Sequence, residues 1–283
     1  MNKVKIIVDS TVDLTKELYE QYDMDILPLN VNFGTDNFKD GVDMTPDQLY
    51  KRVKEFGELP STAARSPLDF EEIFKKYIDK GYDVLYVGIG SKFSTSFQSA
   101  NIAKQEFPED RVYLVDSLNL SSGSGLLAMK AGRMAKEGAS AKEIKAELES
   151  LVPNVSSKFA VETLEYLHKG GRCSGASKLL GHIFHIHPII SVKDGGMLVT
   201  KKPRGLMKIA INEMVNELKA DLPNVYQDDI MITHSGCSQD VIDYCESEVK
   251  KLVDPKCVKI THAGCVICTH CGPGTIGILY IKK

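Results

Sequence analysis

Short apolar runs alternate with amphipathic segments in the first half of the chain. The runs predict strands over residues 4–8, 26–33, 83–89 and 111–115, and apolar positions at helical spacing predict helices over residues 14–22, 94–107 and 123–137. Thr45-Pro46 and Ser66-Pro67 each place a capping hydroxyl before a proline, which indicates two further helix starts. This alternation predicts an α/β fold, with a parallel sheet covered by helices in three α/β/α layers.

The second half shows a different pattern of elements. A capped helix over residues 140–151 ends before Pro153, and we place a domain boundary near residue 155. The predicted domains are residues 1–155, an N-terminal α/β domain, and residues 156–283, a C-terminal α/β domain with a mixed sheet. Its predicted elements are strands at 159–162, 230–233, 258–261 and 276–281, helices through Leu179 and Leu180 and at 206–218 and 238–252, and a hairpin of 189–192 with 197–200.

Composition excludes several classes of protein. The chain has 283 residues, and its 35 Lys and Arg face 38 Asp and Glu, so no basic surplus favours nucleic-acid binding. The N-terminus meets Asp9 before it builds an apolar stretch of signal-peptide length, so we expect a cytoplasmic protein whose seven cysteines stay reduced.

Residues 260–281 contain no Asp, Glu, Lys or Arg and are long enough to span a bilayer. His270, Pro273 and four glycines would interrupt a spanning helix and place polar groups in lipid. We therefore expect no stable membrane insertion and predict a buried strand and loop here.

Hydroxyl residues follow three predicted strands. They occur at Asp9-Ser10-Thr11, Gly90-Ser91 and Asp116-Ser117, where ligands sit in open parallel sheets. The loop from Ser91 to Ser94 precedes a helix start and favours an anion, although these serines would also serve as plain helix caps. His270 lies among glycines in residues 269–275 and can donate to an anion, although a lone histidine is more often structural.

Sequence signatures of common enzyme classes are missing. The chain has no phosphate-binding loop ending in Lys-Ser/Thr, no His-Glu-x-x-His helix and no Gly-x-Ser-x-Gly elbow. Gly88 and Gly90 begin a dinucleotide-binding pattern, but Phe93 stands where its third glycine belongs. We predict no cofactor.

An ordered series of motifs across the chain resembles the DegV family. The segments are Val8-Asp9-Ser10-Thr11, Ser61-Thr62 with Ser66-Pro67, residues 88–100, Val115-Asp116-Ser117, residues 167–172, His187-Pro188 and residues 270–277. The resemblance implies a two-domain α/β protein that encloses a long-chain fatty acid between its domains. It also implies a carrier rather than an enzyme, which presents the fatty acid to a separate dihydroxyacetone-kinase-like fatty acid kinase.

The resemblance also assigns roles to individual residues. Thr62, Ser91, Ser94 and His270 would contact the carboxylate, and Arg172 would support them. Arg204 would contact the kinase. The family usually has glycines where this chain has Lys92 and Thr95, and proline is common at Arg65, so we expect altered headgroup geometry or acyl preference.

Two alternative functions remain open from the residues. Ser91 and His270 would serve as nucleophile and base in an acyl-transfer or hydrolytic enzyme. Cys265, Cys268 and Cys271 have the spacing of a metal or redox module, whereas small apolar cysteines packed in a core are the simpler interpretation.

Further apolar and histidine residues of the second half carry weaker predictions. Residues 179–186 and 276–279 are candidates for lining a ligand tunnel. His182, His185 and His187 are predicted to form a helix-end surface, and we predict no metal site.

Overall fold

A computed structural model describes residues 2–173 and 186–283. The helix predicted through Leu179 and Leu180, most of the tunnel candidate at 179–186, and the histidines His182 and His185 lie outside these residues. The labels below number the described elements in chain order.

The first half contains seven strands and six helices within the described residues. They are β1 (Val4–Asp9), α1 (Lys16–Gln21), β2 (Met24–Leu27), β3 (Asn30–Phe33), β4 (Asp36–Lys39), α2 (Pro46–Phe56), β5 (Ser61–Ala63), α3 (Pro67–Ile78), β6 (Asp83–Val87), α4 (Ser96–Lys104), β7 (Val112–Val115), α5 (Ser122–Lys136) and α6 (Ala141–Leu151). Capping boxes start α2, α3 and α6, as the sequence predicts.

A parallel sheet in the order β2-β1-β6-β7 forms the centre of the first half. Successive side chains of β1 point to opposite faces: Ile6 and Val8 pack with residues of α1, α5 and α6, whereas Ile7 packs with α3 and α4. Both faces are therefore covered by helices. This confirms the predicted three-layer arrangement.

The prediction of a single strand over residues 26–33 is wrong. The chain leaves the parallel sheet after Leu27, and Pro28, which has no backbone N–H, separates β2 from β3. β3 instead forms a small antiparallel sheet in the order β4-β3-β5. Neither β4 nor β5 was predicted from the sequence.

The second half forms a six-stranded mixed sheet. Its described elements are β8 (Val155–Ala160), α7 (Glu165–Gly170), β9 (Ile189–Lys193), β10 (Gly196–Lys201), α8 (Met207–Asp221), β11 (Ile230–Ser235), α9 (Gln239–Lys250), β12 (Val258–His262), α10 (Cys265–Cys271) and β13 (Thr275–Ile281). The strand order is β10-β9-β8-β13-β11-β12, with β11 and β12 parallel and the other pairs antiparallel. The predicted α/β class with one parallel and one mixed sheet is confirmed.

Residues 265–271 correct another prediction. We predicted a buried strand and loop here, but Cys265–Cys271 is a helix, α10. Apart from His270, its residues are cysteine or β-branched, and all seven have little helix propensity of their own. The contacts that stabilise this helix come from distant parts of the chain and are described below.

Helix α5 lies between the two larger sheets. Leu126 and Met129 of α5 share one apolar cluster with Val8 of β1 and with Met231 and Leu279 of the second sheet. Every strand of the six-stranded sheet starts at or after Val155. The domain boundary near residue 155 itself stays a prediction. No helix among the described residues has the length and apolar character needed to cross a membrane.

Candidate functional site

A cavity of about 600 Å³ lies where the first half meets α10 and the β9–β10 hairpin. Most of the residues that line it come from β5 and its following loop, from the β6–α4 loop and from α10, and single residues come from other segments. They are Leu29, Thr62, Ala63, Ala64, Arg65, Ile89, Ser91, Lys92, Phe93, Ser94, Thr95, Leu120, Arg172, Met197, Val266, Ile267, His270 and Cys271. Thus Thr62, Ser91, Ser94, His270 and Arg172, all predicted from the sequence, face one cavity.

Thr62 and His270, which both line the cavity, are joined by a hydrogen bond. The distance from Thr62 Oγ1 to His270 Nε2 is 2.9 Å. Thr62 is held in β5 by its pairing with Val31 of β3, and His270 lies in the last turn of α10. The two residues are separated by 208 positions in the chain, so the fold alone brings them together.

The imidazole of His270 is neutral near pH 7. Burial, assisted by the positive charge of Arg172, lowers the pKa of His270 from 6.5 to about 4. Its Nδ1 is buried and has no hydrogen-bond partner among the described residues. A Cβ atom on Gly170 would lie 2.3 Å from this Nδ1, so only glycine allows the ring its position.

Arg172 lies beside His270 at the exposed rim of the cavity. Its Nη1 donates a hydrogen bond of 2.6 Å to the carbonyl oxygen of Gly170, at the end of α7. The same peptide segment therefore packs against the imidazole and anchors the guanidinium. Arg172 contributes positive charge to the rim, while its hydrogen bond goes to Gly170 and that of Thr62 to His270.

The loop from Ser91 to Ser94, called the serine loop, also lines the cavity. Ser91 donates from Oγ to Asp116 Oδ2 at 2.5 Å and from its backbone N–H to Asp116 Oδ1 at 2.9 Å. Ser94 Oγ is 2.9 Å from Ser96 Oγ and accepts from the backbone N–H of Ser96. The loop ends at the N-terminus of α4, where the helix dipole favours an anion.

The hydrogen bond that an acyl-transfer enzyme would need between Ser91 and His270 is not formed. Ser91 bonds Asp116, and His270 bonds Thr62. The arrangement therefore offers separate hydroxyl groups to a ligand, rather than a nucleophile that is paired with a base.

The charged side chains in the cavity lining have one sign. Arg65, Lys92 and Arg172 line it, and none of the described lining residues is acidic. Arg65 donates to Asn30 and to Asp69, and Lys92 Nζ donates to the carbonyl oxygen of Asp194 at 2.7 Å. The charged side chains that line the cavity are thus all cationic, and the carboxylates of Asp69 and Asp116, behind the lining, accept hydrogen bonds from lining residues.

A second, smaller cavity lies next to the first. It shares Leu120, Ile267 and Cys271 with the first cavity, and its free volume is about 30 Å³. Phe159, Val192, Gly277 and Leu279 are among its other lining residues, together with several buried hydroxyl groups. Of the tunnel candidates at residues 276–279, Gly277 and Leu279 line this cavity, whereas Ile276 and Ile278 pack into a separate core.

The three clustered cysteines make separate contacts. Cys265 Sγ donates to Met44 O at 3.2 Å, and Cys268 Sγ donates to Ala263 O at 3.3 Å. Burial raises the pKa of the Cys268 thiol to about 12 and also raises that of Cys271, so neither favours the thiolate that a metal needs. Among the described residues no three potential ligands form a group able to hold a metal ion.

Arg204 lies away from the cavity. Arg204 is exposed and lies after β10, and its backbone forms a β-bridge with Ile186. Leu206, two residues further on, is 73% exposed. The role of Arg204 as a partner contact stays a prediction. Gly170 has no role of its own in the sequence prediction, whereas Asp116 is predicted at the end of a strand where ligands bind.

Similarity to known proteins extends over the whole chain. A family model described as an uncharacterised protein of the DegV family matches residues 3–283. A DegV domain-containing protein of Clostridium acetobutylicum is 35% identical, covering 100% of both chains, and a fatty acid-binding protein of Thermotoga maritima is 33% identical, covering 97% of this chain and 96% of its own.

A solved structure is similar to this chain over its whole length. The DegV family protein of Thermus thermophilus, described as binding fatty acid, superposes with a TM-score of 0.90 at 31% identity and covers 99% of this chain and 100% of its own. On the evidence of its sequence, its two sheets and this superposition, the chain belongs to the DegV family.

Proposed function

We propose that this protein is a carrier that binds a long-chain fatty acid in the cavity between its halves and presents the carboxylate to a separate dihydroxyacetone-kinase-like fatty acid kinase. The observation that carries this proposal is the Thr62–His270 pair at the wall of a cavity whose charged lining residues are all cationic, next to a smaller cavity in the interior. Two of the relatives are described as binding fatty acids.

The polar end of the cavity suits a carboxylate. An ionised carboxylate is costly to bury unless donors surround it, and hydroxyl and imidazole N–H groups are such donors. Thr62, Ser94 and His270 supply them, while Arg172 adds positive charge at the rim. A carboxylate next to His270 also favours the imidazolium form, so binding opposes the lowering of the His270 pKa by burial.

The apolar interior suits the acyl chain. Each methylene group removed from water contributes about 0.8 kcal/mol, so the tail supplies most of the affinity while the polar end fixes the orientation. The inner cavity is narrow, and a long chain has to displace side chains such as Ile267 and Leu120 where the two cavities meet.

The carrier role assigns no catalytic residue to this chain. Phosphoryl transfer would be performed by the kinase, and the exposed Arg204 is the proposed contact with it. The carboxylate would stay accessible because Ser91 and Arg172, on either side of it, are both exposed.

Lipid extraction tests the proposal. We expect purified protein to release a stoichiometric amount of long-chain fatty acid on denaturation, identified by mass spectrometry, and the delipidated protein to rebind it. Thr62→Val keeps the shape of the side chain but removes the hydroxyl, and should weaken binding by about tenfold or more, as expected for a lost hydrogen bond to a charged group. A protein that neither carries nor rebinds acyl chains would refute the proposal.

The kinase role needs a separate measurement. With a fatty acid kinase and ATP, the loaded protein should support acyl-phosphate formation, and Arg204→Ala should lower turnover while fatty-acid affinity stays unchanged. Equal turnover in both proteins would remove Arg204 from the partner surface and leave the carrier function standing.

A further inference from the structure

Helix α10, which carries His270, is poorly suited to form on its own. It has seven residues, most of them cysteine or β-branched, and it starts at Gly264, which offers no side chain to cap it. Isolated helices of this length are not stable in water, so α10 depends on contacts with the rest of the molecule.

Two buried carboxylates of the first half cap the start of α10. Asp40 accepts from the backbone N–H of Cys265 at 2.6 Å and of Val266 at 3.3 Å, and Asp13 accepts from Gly264 at 2.8 Å. Both aspartates are 3% exposed. These bonds satisfy helix N–H groups that have no partner within the helix.

Gly264 makes this approach possible. A Cβ atom at this position would lie 3.0 Å from Asp40 Oδ2 and 3.3 Å from Asp13 Oδ1. Because Gly264 has no side chain, the two carboxylates can reach the backbone. Asp40, more than 220 positions upstream, supplies the capping that Gly264 cannot provide.

The opposite end of α10 is held by the same small sheet. Asp40 directly follows β4, whereas Thr62, the partner of His270, lies in β5, and both strands pair with β3. The three-stranded sheet thus contacts α10 at its first turn through Asp40 and at its last turn through Thr62. The distance between these two anchors is fixed by the sheet.

We propose that Asp40 is a positioning residue, which sets the location of the His270 imidazole in the headgroup site by fixing the start of α10. This inference rests on the proposed carboxylate site. Asp40 itself does not line the cavity that holds His270, so it acts through the helix and not on the ligand. Burial raises the pKa of Asp40 while the bonds from Cys265 and Val266 oppose that rise, which agrees with a carboxylate that serves the helix.

The experiment compares two ligands that share the same sixteen-carbon chain. Hexadecanoic acid and hexadecan-1-ol differ only in the headgroup, so the ratio of their dissociation constants, the acid preference, isolates the polar site from the tail. We expect Asp40→Ala to lower the acid preference by about tenfold, the factor given by about 1.4 kcal/mol. Asp40→Asn, which keeps one acceptor oxygen, should recover part of it.

Two controls separate positioning from loss of stability. Asp229 is another buried aspartate, bonded to Arg133 at 2.5 Å and absent from both cavities, so Asp229→Ala should destabilise the fold and keep the acid preference. In a His270→Ala background, Asp40→Ala should lower the acid preference no further, because Asp40 acts through His270.

The outcomes are distinguishable. A folded Asp40→Ala protein with the wild-type preference, or an effect that persists fully without His270, would overturn the inference while the carrier function stands. Should Asp40→Ala not fold, the isosteric Asp40→Asn decides, and an unchanged preference there would overturn it equally. If wild-type protein shows no acid preference, or His270→Ala leaves it unchanged, the headgroup site itself is refuted.

Discussion

The neutral state of His270 predicts a specific pH dependence of stability. In the folded protein its pKa is about 4, against 6.5 for an ordinary histidine, because burial disfavours the charged ring. The unfolded chain therefore takes up this proton at a higher pH than the folded chain. Acidification from pH 7 towards pH 4 favours the unfolded state, and His270→Gln removes this effect.

The size of the effect follows from the two pKa values. Between pH 7 and pH 5 the unfolded histidine becomes almost fully protonated while the folded one stays neutral. The resulting loss in the free energy of unfolding is about 2 kcal/mol in the wild type. The buried Asp13 and Asp40 have raised pKa values and an effect of opposite sign, but both residues are present in the variant, so their effect cancels in the comparison.

Urea denaturation of delipidated protein at the two pH values measures this difference. Delipidated protein is required because a bound carboxylate would raise the His270 pKa. The wild type should lose about 2 kcal/mol more than His270→Gln on acidification. Thr62→Val keeps the buried imidazole and should keep the wild-type loss. If His270→Gln loses as much as the wild type, the assignment of a buried neutral imidazole is wrong.

Two further changes test the walls of the site. Gly170→Ala should push the His270 ring away and weaken fatty-acid binding by about tenfold, measured by isothermal titration, whereas Gly196→Ala, whose added Cβ meets only an ordinary contact at 3.5 Å, should not. Ile267→Phe should fill space where the two cavities meet and shift the binding preference to shorter acyl chains, by about fourfold in affinity for each excluded methylene. The control Ile102→Phe, at an exposed position, should bind like the wild type. Equal chain-length profiles for Ile267→Phe and the wild type would contradict the placement of the acyl tail.

Local sequence signals were sufficient for most of the fold. Ser66 caps α3 as predicted and forms a capping box with Asp69. The tip of the β9–β10 hairpin has positive φ at Asp194 and Gly195, as a two-residue turn requires. In each case the residues that determine the element lie within a few positions of one another, so the chain sequence contains the whole signal.

Helix α10 shows why other elements could not be predicted. Its own residues favour a strand, and its capping groups, Asp13 and Asp40, lie more than 220 residues away in sequence. The split at Pro28 is similar, because whether β3 continues the first sheet depends on pairing with β4 and β5, which have few residues and weak patterns. Tertiary contacts overrode local preference at both places.

The candidate site was predicted in part by the same local reasoning. The rule that ligands bind at the carboxyl ends of parallel strands indicated Ser91 and Asp116, and both lie there, bonded to each other. No local pattern paired Thr62 with His270, since Thr62 lies in β5 and His270 in α10, 208 positions apart, and only the resemblance to the family linked them. The burial of His270 Nδ1 against Gly170 results from tertiary packing and has no local signal in the sequence.

Arg65 and Lys92 take part in contacts within the protein. Arg65 and Lys92 were expected to alter the headgroup geometry, and both line the cavity, yet each is bonded to the protein. Arg65 joins β3 to α3 through Asn30 and Asp69, beside the strand that carries Thr62. Lys92 joins the serine loop to the hairpin, where its side chain packs over Gly195. Arg65 and Lys92 therefore fix two of the segments that line the cavity through bonds within the protein, to Asn30, Asp69 and Asp194.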